Sequence, residues 1–171
     1  MQKFSESLKL MGNNFTITVV AENYKLGTEN IALAVVEIRR IEQLFTTFKR
    51  DSQTNLINDH AGIMPVKVDP EVFNLIERSV GISKITQGAF DISYGSIDKT
   101  LWNFDKSMTK LPDVETARKM VHLIDYRNIL LDKENGTVFL KEKGMRIGFG
   151  GIGKGYAAEM AKKVLMLPAP K

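Results

Sequence analysis

Cysteine is missing from this chain altogether, which excludes disulfides, thiol chemistry and cysteine-ligated metals. Histidine is almost as scarce. His60 and His122 are the only two, too far apart in sequence to suggest a zinc site. No apolar run approaches the ~20 residues that a membrane span needs, and Met1 to Leu10 has no signal-peptide core, so the chain as given reads as soluble. Charge of one sign is also in short supply. A formal net charge of +4, with no basic cluster interleaved with aromatics, argues against nucleic-acid binding while suiting a small anionic ligand. Repeats and low-complexity segments do not occur. What is present, 171 residues of which 43% are hydrophobic, suffices for one domain with a real core.

Periodicity organises the rest. Met1 to Val20 predicts two strands, with Phe15, Ile17 and Val19 alternating against Thr16 and Thr18 and a turn at Gly12-Asn13-Asn14. From about Thr28 to Phe48 the spacing becomes helical, with Ile31, Val35, Ile38, Ile41, Phe45 and Phe48 on one face. Lys49 to Gly62 is polar and reads as a structured loop. Asp69-Pro70 starts a helix with a cap and a proline at its first position, followed by Phe73, Ile76 and Val80. Pro112-Asp113 starts another, carrying Val114, Ala117, Val121 and Ile124. Strands are expected at 128–131, 137–141 and 145–147, and a last helix from Tyr156 to Leu167. Strands and helices mix without regular βαβ alternation, which predicts an α+β fold rather than a doubly wound sheet.

Four stretches could carry chemistry. The densest is Arg146 to Ala161, where five glycines lie between Gly148 and Gly155 ahead of a helix. Such a turn presents free N–H groups and a positive dipole end to an anion. Gly148-x-Gly150-x-x-Gly153 fits the dinucleotide fingerprint, and Gly148-x4-Gly153-Lys154 fits most of a P-loop. Both fail on their surroundings. Gly155 stands where the P-loop needs Ser or Thr, and the chain ends before a Walker-B strand or the acidic residue of a dinucleotide fold. Glycines that merely permit close helix–strand packing are the plainer alternative. The second stretch, Gly88-Ala89-Phe90-Asp91-Ile92-Ser93-Tyr94-Gly95, sets a ring beside a carboxylate on backbone freed by glycine, which suits a planar heteroaromatic ligand. Its plainer reading is a helix C-terminus with Phe90 in the core and Asp91 as a cap. The third, Thr46 to Ser52 and then Asn55 and Asn58, is either a solvated turn or a rim presenting Phe48. The fourth is Met11-Gly12, where a thioether pads a ring or fills core.

Taken in order, these stretches resemble the ApbE-like flavin transferases, the FAD:protein FMN transferases also called thiamine-biosynthesis lipoproteins. The resemblance runs through Met11-Gly12, F-T-T-F-K-R-D-S (Phe45 to Ser52), G-A-F-D-I-S (Gly88 to Ser93), Leu101-Trp102, Leu111-Pro112 and G-G-I-G-K-G-Y-A (Gly150 to Ala157). It implies a magnesium-dependent enzyme that moves FMN from FAD to a Ser or Thr hydroxyl of a target flavoprotein and releases AMP. Some members hydrolyse FAD instead. By position, the resemblance makes Met11, Phe48, Ala89, Phe90, Asp91, Gly148 and Lys154 FAD contacts, and the backbone carbonyl of Gly151 a magnesium ligand. A carbonyl suits that hard cation, and metal plus cation suit attack on a pyrophosphate.

Departures from the pattern qualify this. Gly148 stands where many relatives carry Asp, and Phe48 where Tyr is common. The family's later aspartate and hydroxyl magnesium ligands, and its later histidine, lie beyond Lys171. The expectation is therefore that residues 1–171 form the N-terminal half of a flavin transferase domain, with a partial site inactive alone. An FAD pyrophosphatase and a non-catalytic flavin-binding fragment are the alternatives. The family is often periplasmic or held at the outer face of the inner membrane. No lipoprotein cysteine is present, so membrane association would need an anchor absent from this sequence.

Overall fold

A computed structural model describes residues 1–100 and 110–166. The pair Leu101-Trp102 lies outside the described residues. The elements run β1 (Gln2–Leu10), β2 (Asn13–Ala21), α1 (Tyr24–Phe45), α2 (Gln53–Asp59), β3 (Val66–Lys67), α3 (Pro70–Ile85), α4 (Val114–Val121), β4 (Ile129–Asp132), β5 (Thr137–Leu140) and α5 (Gly153–Met166), with 3-10 turns at Ile92–Ser96 and Tyr126–Asn128. Every strand pairing is antiparallel, so the α+β class holds. No described helix is long and apolar enough to cross a membrane. Where composition suggested one domain, the chain divides into two compact units, Met1–Leu44 with Gly150–Lys171, and Phe45–Phe149. The division falls inside the glycine stretch.

In the first unit β1 and β2 form a hairpin in which Leu10 faces Asn13. The reversal is thus the two-residue turn Met11-Gly12, one position earlier than expected, and Asn13 and Asn14 belong to β2. Met11 (φ 51°) and Gly12 (φ 70°) are both left-handed, as the turn that matches strand twist requires. One hairpin face carries the hydroxyl pairs Ser5–Thr18 (2.9 Å) and Ser7–Thr16 (2.8 Å), while Leu10, Val19 and Ala21 on the other are buried. Helix α1 begins at Tyr24 rather than Thr28 because Asn23 Oδ1 accepts the Leu26 N–H at 3.0 Å, capping it early. Its buried stripe is Ile31, Ala34, Ile38 and Ile41, the 3–4 spacing that the sequence shows. Helix α5 starts at Gly153, not Tyr156, and buries the small residues Gly153, Ala157 and Ala161.

In the second unit the sheet order is β3-β5-β4, with Val66 and Leu131 both opposite Val138. Its buried side chains include Val72, Leu75 and Ile76 of α3 with Ile129, Val138 and Leu140 of the sheet. The expected loop at 49–62 is a correction: it holds α2, capped by Ser52 Oγ accepting the Asn55 N–H at 3.1 Å. The helix is short and three of its four buried positions, Thr54, Asn55 and Asn58, are polar, leaving Ile57 as the one apolar member, which masks the period. The stripe on α4 is a second correction. No residue of that helix is buried, and Val114 and Val121 are exposed. The strand expected at 145–147 does not form either. Those residues have no ladder partner, and side chains take the place of one, as described below.

Capping carboxylates give the fold an acid limit. The Thr116 N–H and then its hydroxyl hold Asp113 below the usual carboxylate range. The Thr100 hydroxyl does so for Asp98, the Arg127 guanidinium for Asp125, and the Asn135 side chain for Asp132. A carboxyl depressed on folding stabilises above its unfolded pKa, about 3.9, and loses that contribution as pH falls through the folded value. Urea melts should therefore give a flat midpoint near neutrality that declines below about pH 4.

Candidate functional site

The G-A-F-D-I-S segment follows α3, whose end is set by two successive left-handed residues, Gln87 (φ 53°) and Gly88 (φ 85°). The Gly88 N–H returns to Ser83 O at 2.8 Å, a helix C-terminal closure of the kind the plainer reading foresaw. Ala89 is exposed and Phe90 half-buried, so neither sits in the core. Asp91 then caps the next turn rather than α3. Its Oδ1 accepts the Ser93 N–H (2.8 Å) and hydroxyl (2.6 Å), and its Oδ2 accepts the Tyr126 N–H (2.8 Å). A cavity of about 350 Å³ opens beside it, bordered by Lys84, Gln87, Gly88, Asp91, Tyr126 and Arg127.

The same unit joins this segment to the approach of the glycine stretch. The Gly148 N–H donates to Ile92 O at 2.9 Å. Gly95 packs against the same backbone so closely that an added Cβ would lie 2.6 Å from the Ile147 carbonyl carbon and 2.8 Å from Gly148 N. One residue earlier, Ser96 Oγ accepts the Arg146 N–H at 2.9 Å and reaches Arg146 O at 3.1 Å. The Arg146 guanidinium donates to Asn55 Oδ1 at 3.1 Å and pairs with Asp59 at 3.6 Å.

Phe48 is not on α1, which ends at Phe45. Asn55 Nδ2 donates to the carbonyls of Thr47 (2.9 Å) and Lys49 (2.7 Å), drawing the chain out of the helix. The Phe48 ring is left 91% exposed, with the Lys99 ammonium 5.7 Å from its centroid. Phe45 is instead buried and lies 4.7 Å from Phe149, centroid to centroid.

The first unit holds the remaining residues. Met11 occupies the first central position of its hairpin turn, where a side chain with a Cβ is disfavoured. Gly151 is exposed and Lys154, in the first turn of α5, is half-buried. The Lys154 ammonium approaches Gly150 O at 3.5 Å. The glycines differ in what demands them. Among the described residues, a Cβ on Gly150 or Gly155 would meet nothing within 4 Å, and one on Gly148 only Gly95 Cα at 3.8 Å. Packing alone therefore does not explain those three.

Magnesium was implied at the Gly151 carbonyl. Among the described residues no three His, Cys, Asp or Glu lie close enough to share a metal. One carbonyl is one of about six oxygens that this ion takes. By themselves these residues do not fit magnesium, and no chemical step is assigned to it here.

Gly95 lies in the second stretch and Ser96 just beyond it, and neither their contacts with residues 146–148 nor the structural roles of Asn55 and Asn58 follow from the sequence pattern. The one signal for the last two was the spacing Ser52, Asn55, Asn58, which marks one face of a short capped helix.

Comparison with known proteins fits this geometry. The chain belongs to the ApbE family, whose model matches residues 11–167. Its curated relatives include an FAD:protein FMN transferase of Klebsiella pneumoniae (strain 342), 31% identical over 162 residues that make up 95% of this chain and 50% of the relative. Another, from Treponema pallidum (strain Nichols), bears the same name and is 28% identical over 75% of this chain and 36% of its own length. The crystal structure of the ApbE protein from Thermotoga maritima MSB8 superposes with a TM-score of 0.86 at 27% identity, covering 96% of this chain and 53% of that one. The flavin transferase ApbE from Vibrio cholerae, as its H257G mutant, gives a TM-score of 0.82 at 15% identity, a likeness of fold. The chain thus spans about half the length of the Klebsiella pneumoniae relative and of these solved structures.

Proposed function

We propose that this chain carries part of the flavin site of an FAD:protein FMN transferase. The observation that carries the reading is the set of glycines that packing does not require, Gly148, Gly150 and Gly155, at and before the start of α5. Backbone left bare in this way allows close approach by a ligand and offers helix N–H groups to a phosphate. The names of the relatives point the same way.

In this reading Phe48 offers an open aromatic face to a planar ring. Ala89, Phe90 and Asp91 form a second wall, with the one remaining acceptor site on Asp91 Oδ2 and the cavity beside it available to the ligand. Met11 pads the flavin or adenine, and Lys154 places a positive charge near the pyrophosphate. A Ser or Thr hydroxyl of a target flavoprotein attacks the phosphorus on the FMN side. A P–O bond forms there, the anhydride bond breaks, AMP departs with the bridging oxygen, and the hydroxyl proton is released to the departing phosphate or solvent. Charge neutralisation and alignment dominate such a transfer. The Gly151 carbonyl would offer magnesium a single oxygen, and no acidic cluster among the described residues joins it.

The test is to incubate the full-length gene product with FAD, magnesium and a candidate flavoprotein, and to seek an FMN-sized adduct by mass spectrometry. The adduct supports the transferase. Free AMP and FMN without it would make the protein an FAD hydrolase, and no turnover of FAD would sink the enzyme reading.

Met11 offers a narrower check. Met11→Asn gives the hairpin its preferred Asn-Gly turn and should stabilise the protein to urea by about 1 kcal/mol. It should also weaken FAD binding, measured by quenching of flavin fluorescence. Gain without loss would leave Met11 with no part in the site.

A further inference from the structure

We infer that Asn58 is a positioning residue for the flavin site, acting through the backbone of Ile147 to aim Gly148; this rests on the flavin-transferase reading. Asn58 lies on α2, is 5% exposed, and meets a segment 89 residues away in sequence. Its Oδ1 accepts the Ile147 N–H at 2.7 Å and its Nδ2 donates to the Ile147 carbonyl at 3.1 Å. Both ends of the carboxamide are used on one residue. That is the bond pair a neighbouring strand would supply, and among the described residues Met145 to Phe149 has no such strand.

The identity of the side chain matters. Ile147 is 1% exposed, so its N–H and C=O have no water to fall back on. Aspartate can accept from the N–H but sets a second oxygen against the carbonyl. Serine reaches with one group only. Asparagine alone among short side chains presents a donor and an acceptor side by side.

The consequence lands one residue on. Gly148 N–H reaches Ile92 O at 2.9 Å only while Ile147 is held in register, and Ile92 directly follows Asp91. Asn58 thus fixes the separation between two walls of the proposed site without touching a ligand. The Arg146 clasp onto Asn55 and Asp59 ties the same strip to the same helix, so α2 acts as its frame.

Loss of stability alone would not establish this role, and the experiment separates the two. In the full-length gene product, FAD affinity is measured by flavin fluorescence quenching, folding by urea melts, and exposure of Ile147 and Gly148 by amide exchange. The proteins are the parent, Asn58→Asp and Ile76→Val, a core change in α3 remote from the strip in sequence. Asn58→Asp should speed exchange at both amides and raise the FAD Kd about tenfold or more, as loss of a ligand residue's support does, under conditions where the protein stays folded. Ile76→Val should leave Kd within about twofold, since a surviving fold keeps its site. Equal Kd in parent and Asn58→Asp, or an equal rise in Ile76→Val, would overturn the inference. A parent that binds no FAD would overturn the flavin reading itself. Should Asn58→Asp fail to fold, Asn58→Ser, which retains one of the two bonds, is judged by the same outcomes.

Discussion

Gly95→Ala should cost about 2–3 kcal/mol of stability, toward the upper end of what overpacking does, and should abolish the closure of residues 146–148 onto the Ile92–Ser96 turn. The new Cβ would meet the Ile147 carbonyl carbon at 2.6 Å, Gly148 N at 2.8 Å and Ile147 O at 2.9 Å. These are backbone atoms, so no rotamer change relieves the clash. The strip must move away, and doing so breaks the Gly148–Ile92 bond and strains the Ser96 clasp on Arg146. Urea denaturation gives the magnitude, with Gly150→Ala as the control. Nothing described lies within 4 Å of a Cβ there, and the change should stay within about 0.5 kcal/mol. A neutral Gly95→Ala would mean that the strip is looser than its bonds imply.

Asp91→Asn is the second large effect. The carboxylate accepts three hydrogen bonds, from the Ser93 N–H, the Ser93 hydroxyl and the Tyr126 N–H. An amide has one oxygen, so either the Ser93 or the Tyr126 N–H must face an NH₂ group. Bonds to a charged acceptor contribute about 1.5–3 kcal/mol, and an orphaned partner adds its desolvation. A loss of about 2–3 kcal/mol in urea is expected, with the turn at Ile92–Ser96 released from the Tyr126 segment. If the urea midpoint holds while FAD binding falls, Asp91 serves the ligand ahead of the fold. If both hold, neither role stands.

Much of this architecture was legible because it rests on local physics. Asp69-Pro70 did start a helix, as an acidic cap before proline should, and the Ile31–Ile41 spacing did bury one face of α1. Boundaries slipped where a cap sat outside the apolar run, as Asn23 does. Helix α2 was missed because Ile57 is the one apolar residue on its buried face, beside Thr54, Asn55 and Asn58, so no hydrophobic period exists to read. The strip at 145–147 looked like a strand because its residues alternate and are buried, yet its partners are side chains from Asn58 and Ser96. Such pairings have no sequence pattern. Residues likened to family positions could be named in advance, whereas the contacts that hold them, such as the close approach of Gly95 to Ile147, became visible only with coordinates.

The clasp of Ser96 on Arg146 spans 50 residues of chain, and its consequence is one of timing. Closing a long loop costs entropy before any contact rewards it, so hairpins and helices form first and this strip settles late. Substitutions there should leave the refolding arm of a chevron nearly unchanged and steepen the loss of the native state through faster unfolding. The strip would then be among the last parts of the second unit to assemble and among the first to let go.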